Sequence, residues 1–275
     1  MPTFREIYFK YKKQGIEPSI IYFALQEFGN FDYFDLIQHF DDEMINLPDF
    51  KQAMSRYQNG EMIEYIFNKA YFLSLPFYVD KNVLIPRQET EQLVLSTIDR
   101  IGKIFDERPL VIADVCTGSG AIGLSLSHHL PNNKYYLSDI DKGALNVAKK
   151  NAHDLNIDAE FLLGDMLEPY LKKNIKVDVI VCNPPYIEDI STIDKKTWEQ
   201  EPHLALLANP CTYFYEKTLQ NFHKTANEKY LLAFEIGQDM EQSLTELVKL
   251  YCPNAKFEFE NDLYDKTRFL FIYNK

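Results

Sequence analysis

From about residue 108 the chain alternates short apolar runs with amphipathic stretches. The short apolar runs predict buried strands, and the amphipathic stretches predict helices. Strands that alternate with helices are typical of an α/β sheet that is mostly parallel and covered on both faces. We therefore predict a doubly wound, seven-stranded sheet. The expected strands cover residues 110–115, 135–137, 161–163, 177–182, 230–236, 255–260 and 267–273. Because only a short loop separates the last two, one of them should run antiparallel.

The chain before this sheet has a different character. Residues 1–70 read as short helices, one of which should run from Pro18 to Gly29. Leu47-Pro48-Asp49 predicts a helix stop with a fresh cap at Asp49. We predict a small helical bundle at 1–70, which serves either partner recognition or compact packing alone. A hairpin linker at 71–87 and the α/β domain at 88–275 follow.

Charge and composition limit the function. Asp and Glu number 41 against 29 Lys and Arg, so the net charge is −12. Such a chain is a poor general nucleic-acid binder and suits a basic protein partner better. No Cys-x-x-Cys or His-Glu-x-x-His pattern predicts a metal site. Without an apolar run long enough for a membrane span, or a signal peptide, we expect a cytoplasmic protein.

A glycine-containing turn follows the first strand of the predicted sheet. Doubly wound sheets bind ligands at such a point, where small residues and the N-terminus of the next helix admit close contact. Asp139 follows the second strand and can accept hydrogen bonds from ribose hydroxyls. Asp165 and Met166 follow the third strand, where they would lie beside a bound adenine. These features fit NAD and S-adenosylmethionine alike. The turn residues are Cys116, Thr117, Gly118, Ser119 and Gly120.

The fourth strand runs directly into Asn183-Pro184-Pro185-Tyr186. Two consecutive prolines stiffen the backbone and remove two N–H donors. The Asn183 side-chain oxygen and the Pro184 carbonyl can then accept both hydrogens of one planar NH2 group. Tyr186 offers an aromatic wall for a flat amide or base. We predict that this corner binds a nitrogen acceptor.

The two motifs together resemble those of amino-group methyltransferases, which include DNA adenine enzymes and glutamine methyltransferases. Leu84 to Glu91 reads Leu-Ile-Pro-Arg-Gln-Glu-Thr-Glu, which is similar to the Pro-Arg-x-Glu-Thr-Glu segment of the HemK/PrmC family. The resemblance extends through Glu201 to Leu206, Glu235 to Gly237 and Asp262 to Arg268. It covers the chain from about residue 75 to its end.

The resemblance implies a class I, Rossmann-like methyltransferase that uses S-adenosylmethionine. Its expected reaction is methylation of the glutamine side chain in the Gly-Gly-Gln motif of peptide chain release factors. Cys116 to Gly120 would hold the methionine end of the cofactor, and Asp139 its ribose. Asn183, Pro184, Pro185 and Tyr186 would bind the glutamine, and three of them, Asn183, Pro184 and Tyr186, would be the catalytic residues. Asn183 would also touch the cofactor. The alternatives are a DNA adenine methyltransferase and a glutamine methyltransferase for a ribosomal protein. We expect a monomer without metal.

Overall fold

The computed structural model describes residues 1–274, which divide into two compact units. The first unit is Met1–Lys69, and the second begins at Ala70. The hairpin predicted as a linker therefore belongs to the second unit. Lys275, the last residue of the predicted 88–275 domain, lies outside the described residues. None of the helices within residues 1–274 combines the length and the apolar character that a membrane span requires.

The first unit is helical, which confirms the predicted helical region. Leu25, Leu36 and Phe50 are completely buried in its apolar core. Pro48 lies in the first turn of a helix that begins at Leu47, so the expected cap at Asp49 is wrong by a few residues. Proline is tolerated there because the first turn needs no N–H partner. The helices are α1 (Phe4–Lys12), α2 (Pro18–Gly29), α3 (Tyr33–Gln38), α4 (Leu47–Gln58) and α5 (Ile63–Phe67).

A seven-stranded sheet forms the centre of the second unit, after a small hairpin of β1 (Ala70–Phe72) and β2 (Leu75–Phe77). The strand order is β5-β4-β3-β6-β7-β9-β8, and among these described strands β9 alone is antiparallel to the other six. The predicted mostly parallel, doubly wound sheet is confirmed. Its strands are β3 (Val111–Val115), β4 (Lys134–Asp139), β5 (Glu160–Leu163), β6 (Val177–Cys182), β7 (Ala226–Glu235), β8 (Lys256–Asn261) and β9 (Thr267–Tyr273).

Helices cover both faces of this sheet. Side chains of β6 alternate between the faces, so Val179 and Val181 join one apolar cluster while Ile180 and Cys182 join the other. All four are buried, which explains the uninterrupted apolar run from Val179 to Cys182. The helices are α6 (Gln88–Ile104), α7 (Ala121–His129), α8 (Lys142–Asp154), α9 (Glu168–Lys172), α10 (Lys195–Gln200), α11 (Tyr213–Thr225) and α12 (Glu241–Tyr251). Two short 3-10 turns lie at Ile190–Thr192 and His203–Ala205.

The segment after the β1–β2 hairpin is attached to the sheet domain by one buried amide. Asn151 on α8 accepts a hydrogen bond from the Tyr78 N–H at 2.6 Å and donates to the Tyr78 carbonyl at 2.9 Å. The same amide donates to the Ser119 carbonyl at 2.8 Å. Because an unpaired buried amide is costly, these bonds hold the hairpin segment beside the glycine-containing turn.

Gly123 allows α7 to approach β3 closely. A Cβ atom at this position would lie 2.9 Å from the Cβ of Asp114 and 3.0 Å from a methyl carbon of Leu137. Real side chains do not tolerate such distances, and both neighbours are buried. The absence of a side chain at Gly123 therefore sets how near the start of α7 lies to the end of β3.

Asp178 joins three strands at the amino-terminal edge of the sheet, away from their carboxyl ends. Its buried carboxylate accepts hydrogen bonds from Arg108 Nη2 at 2.7 Å, the Val111 N–H at 2.8 Å and Asn227 Nδ2 at 2.8 Å. Burial by itself raises the pKa of Asp178, but these bonds outweigh it and lower the pKa below its ordinary value. The ionised form therefore stabilises the folded chain.

We expect Asp178→Asn to lower the free energy of unfolding by about 2 kcal/mol at neutral pH. Because the folded pKa is depressed, this contribution is complete above about pH 4 and disappears as the pH falls through the lowered pKa. Urea unfolding of wild type and variant at neutral and acid pH measures both effects. Asp158→Asn, at an exposed position, is the matched control. Equal stability of the Asp178 variant and wild type at neutral pH would contradict this role.

Candidate functional site

A cavity of about 300 Å³ opens at the carboxyl ends of β3, β4, β5 and β6. Loops that follow parallel strands meet at this edge, which is where doubly wound sheets hold ligands. Nine of the twelve predicted site residues line the cavity, namely Cys116, Thr117, Gly118, Ser119, Asp139, Asp165, Met166, Asn183 and Pro185. Gly120, Pro184 and Tyr186 are not among the lining residues.

Three residues of the turn after β3 adopt left-handed backbone conformations. Gly118 and Gly120 have positive φ angles of 55° and 85°, and Cys116 has one of 61°. Glycine adopts this region at low cost, whereas Cys116 requires the surrounding bonds to hold it there. The Thr117 N–H donates to the Ser138 carbonyl at 2.9 Å, which anchors the turn to the end of β4.

A buried carboxylate, Asp114, lies beneath this turn. Its Oδ2 accepts hydrogen bonds from the Thr117 hydroxyl at 2.5 Å and from the Gly123 N–H at 2.8 Å. Its Oδ1 is buried and has no hydrogen-bond partner within residues 1–274. Burial raises the pKa of Asp114 to about 7, although the two bonds to Oδ2 act in the opposite direction.

Asp139 presents its carboxylate to the same cavity from the end of β4. It accepts hydrogen bonds from the Gly118 N–H and the Asp141 N–H, both at 2.9 Å. Each carboxylate oxygen keeps a further lone pair, so two hydroxyl donors can still bind. Burial raises the pKa of Asp139, while the backbone donors limit that rise. The backbone thus aims this carboxylate and leaves acceptor capacity free.

Asp165 and Met166 lie on the cavity wall after β5. The Asp165 carboxylate forms an ion pair with Lys217 of α11, and the Met166 sulfur lies 3.5 Å from the Cys116 sulfur. Asp165 is therefore already partly neutralised, while Met166 supplies an apolar surface against which a flat ring can pack. No sequence pattern indicated Lys217 as the partner of Asp165, because α11 lies some fifty residues further along the chain.

The Asn183-Pro184-Pro185-Tyr186 corner is split between the cavity and the interior. Asn183 and Pro185 face the cavity. The Tyr186 ring packs against Gly237, where an added Cβ would lie 3.0 Å from a ring carbon, and its hydroxyl donates to Glu235 Oε1 at 3.2 Å. The structure thus brings Asn183 to the glycine-containing turn and places Tyr186 behind it, against the end of β7.

Glu201 is a site residue to which the sequence assigned no role. Its buried carboxylate accepts a hydrogen bond from the Ile85 N–H at 2.9 Å and forms an ion pair with Arg87. Pro86 lies between these two contacts in the chain, and both Pro86 and Arg87 line the cavity. Glu201 thereby fastens the Leu-Ile-Pro-Arg segment over the site. The only sequence feature that linked Glu201 to this segment was that Leu84 to Glu91 and Glu201 to Leu206 both resemble the same family.

The donor set of this cavity fits S-adenosylmethionine. Asp139 offers acceptors for a ribose diol, and Met166 and Ile122 offer apolar surface to a purine. Asp114, with its unpartnered Oδ1, lies buried behind the turn, and a positive sulfonium and ammonium bound nearby would favour its ionised form. The individual contacts of the predicted residues with this cofactor stay predictions.

The chain is similar in sequence to known proteins over almost its whole length. It is 35% identical to the release factor glutamine methyltransferase of Mycoplasma mycoides, over 94% of this chain and 94% of the relative. It is 34% identical to the protein of the same name from Flavobacterium psychrophilum, over 92% and 90% of the two chains. The methyltransferase small domain family matches residues 91–200.

A solved structure shares the fold at low sequence identity. A human methyltransferase 10 domain containing protein superimposes with a TM-score of 0.53 and 16% identity, and the alignment covers 82% of this chain and 97% of the other. The comparisons confirm the predicted methyltransferase class and S-adenosylmethionine as its cofactor. On the extent and identity of the sequence matches, the chain belongs to the release factor glutamine methyltransferase family.

Proposed function

We propose that this chain transfers the methyl group of S-adenosylmethionine to the side-chain amide nitrogen of a glutamine in peptide chain release factors. The glutamine is that of their Gly-Gly-Gln motif. One observation carries the proposal for the site. Asn183 and Pro185 line the same 300 Å³ cavity as Asp139 and the turn at Cys116 to Ser119. A nitrogen acceptor bound at Asn183 therefore lies next to a cofactor bound at Asp139.

The protein must mainly position a weak nucleophile, because the lone pair of an amide nitrogen is delocalised into its carbonyl. The cofactor supplies a strongly electrophilic methyl group. The Asn183 oxygen and the Pro184 carbonyl accept the two amide hydrogens, which orients the nitrogen and favours a more localised lone pair. The nitrogen gains the methyl carbon as the bond from that carbon to sulfur breaks. One amide proton then leaves to water, without a dedicated base or metal.

Charge and exposed surface support a protein substrate. The net charge of −12 disfavours a phosphate backbone and suits a basic protein. The helical unit exposes three-quarters or more of Phe34 and Ile45, and singly exposed apolar residues of this size are available for contacts with a partner. Recognition of release factor by residues 1–69, a monomeric state and a cytoplasmic location belong to the same proposal.

The proposal predicts where a labelled methyl group appears. The purified chain is incubated with cofactor labelled in its methyl group and with one acceptor at a time. The label incorporated into each macromolecule is then measured. We expect label in release factor, and none in a release factor whose Gly-Gly-Gln glutamine is replaced by leucine. Duplex DNA rich in adenine and ribosomal protein should also remain unlabelled.

The controls separate the competing functions. Label in DNA would favour an adenine methyltransferase, and label in ribosomal protein would favour the related glutamine enzyme. Equal labelling of release factor and its leucine variant would show that another side chain is the acceptor. Each of these three results contradicts the proposed function, whereas label that depends on the glutamine supports it.

A further inference from the structure

A buried carboxylate, Glu235, lies at the end of β7 behind the Asn183 corner. Only 4% of Glu235 is exposed. Its Oε2 accepts a hydrogen bond from the Thr90 hydroxyl at 2.6 Å, and its Oε1 accepts one from the Tyr186 hydroxyl at 3.2 Å. Buried carboxylates are rare unless paired, so this arrangement calls for a specific role.

Hydrogen-bond donors and a cation surround Glu235. Burial raises the pKa of Glu235 above its ordinary value, and the hydrogen bond from Thr90, the positive charge of Arg268 and the bonds from Tyr186 and Asn183 limit this rise without reversing it. Every one of these neighbours acts as a donor or a cation towards the carboxylate. An ionised carboxylate is an acceptor only, which is the role that this set of donors requires.

Thr90 extends this arrangement to Asn183. A threonine hydroxyl has a single proton, and Thr90 gives it to Glu235. Towards Asn183 it can therefore offer only a lone pair. The Asn183 side-chain nitrogen donates to that oxygen at 3.4 Å. The three groups form a one-way relay in which the Asn183 NH2 donates to Thr90 and Thr90 donates to Glu235.

This relay distinguishes the two ends of the Asn183 amide. If the amide were rotated by half a turn, its oxygen would face the lone pairs of Thr90 and the negative Glu235. Its NH2 would then be directed elsewhere and would repel an incoming NH2 group. With the NH2 satisfied by the relay, Oδ1 is the atom left to accept a hydrogen from the acceptor nitrogen.

We propose that Thr90 and Glu235 are positioning residues that hold the Asn183 amide in the one orientation that offers its oxygen to the acceptor NH2. This inference rests on the proposed function, because it explains how Asn183 is oriented to bind the NH2 group of an amide. Thr90 itself lines the cavity, whereas Glu235 does not. In this proposal both act on the acceptor through the orientation of Asn183, which lines the same cavity.

The test compares two substitutions at one position. Thr90→Val keeps the shape of the side chain but removes the hydroxyl, whereas Thr90→Ser keeps the hydroxyl. We expect Thr90→Val to lower kcat on release factor on the order of 10- to 100-fold, with cofactor affinity unchanged within about twofold. Thr90→Ser should restore kcat to within about threefold of wild type. A merely structural role would make the serine variant, which leaves a small gap, as poor as the valine variant or poorer.

A double-mutant cycle with Asn183→Ala gives the second readout. If Thr90 acts by orienting Asn183, Thr90→Val should change the residual rate of the Asn183→Ala enzyme by less than about twofold. The proposal would be overturned if Thr90→Val lowered kcat as much in the Asn183→Ala enzyme as in wild type. It would also be overturned if Thr90→Val kept the wild-type kcat. Circular dichroism melting shows whether each variant is folded. Should Thr90→Val not fold, Glu235→Gln replaces it in the cycle, since a glutamine of the same shape can donate to Thr90 and reverse the relay.

Failure of this inference is distinguishable from failure of the proposed function. If the wild-type chain labels no release factor, the proposed function falls. If wild type labels release factor while Thr90→Val and Glu235→Gln retain its kcat, the proposed function stands and only the positioning role falls.

Discussion

The Asn183→Ala variant is expected to turn over release factor about a thousandfold more slowly than wild type, because it loses the side-chain acceptor for the amide NH2. A preorganised polar group that acts on the reacting atoms is among the largest single contributors to catalysis. Asn183 extends from the end of β6 into the cavity, and its loss leaves β6 and the Asp139 contacts in place. Cofactor affinity should therefore change little.

Single-turnover methylation and calorimetric cofactor binding measure the two quantities separately. Asn132→Ala, at an exposed position in the turn before β4, serves as the matched control and should behave as wild type. Turnover near the wild-type rate in Asn183→Ala would remove Asn183 from the catalytic site. A parallel collapse of cofactor binding would instead assign Asn183 to the cofactor alone.

The second large effect concerns the cofactor. We expect Asp139→Ala to weaken S-adenosylmethionine binding by about 100-fold, which corresponds to about 2.7 kcal/mol. The substitution removes the acceptors for a ribose diol, and it also leaves the Gly118 and Asp141 N–H groups without their present partner. The same change therefore removes ligand bonds and loosens the turn that contacts the ligand.

Isothermal titration calorimetry with wild type and Asp139→Ala gives the affinities directly. Asp139→Asn should lie between them, because it keeps one acceptor oxygen. Asp158→Ala controls for the general loss of a negative charge, since Asp158 is exposed and does not line the cavity. Unchanged affinity in Asp139→Ala would show that the ribose binds elsewhere.

Several features of the site followed from local sequence. Asp139 and Asn183 each stand at the carboxyl end of a predicted strand, and parallel strands bring those ends to one edge. Once the strands and their directions were predicted correctly, it followed that Asp139 and Asn183 lie at the same cavity. That one of the last two strands runs antiparallel followed from their connection, which is too short for a crossover. The structure shows that this strand is β9.

Other features depend on residues far apart in the chain. Thr90 and Glu235 are 145 positions apart, and Ile85 and Glu201 are 116 positions apart. No local periodicity or spacing encodes such pairs, because each depends on how α6 and the loops pack on the finished sheet. Tyr186 illustrates the same limit. Its neighbours in sequence predicted an aromatic wall, yet its hydroxyl reaches inward to Glu235.

The sequence by itself determined the alternation of strands and helices, the mostly parallel direction of the strands and the residues that follow their carboxyl ends. These depend on side-chain periodicity, proline and glycine, whose effects act within a few residues. Only the tertiary structure decided the strand order and the hydrogen bonds behind Asn183. A buried carboxylate finds its donors wherever packing brings them, and packing is settled by the whole core at once.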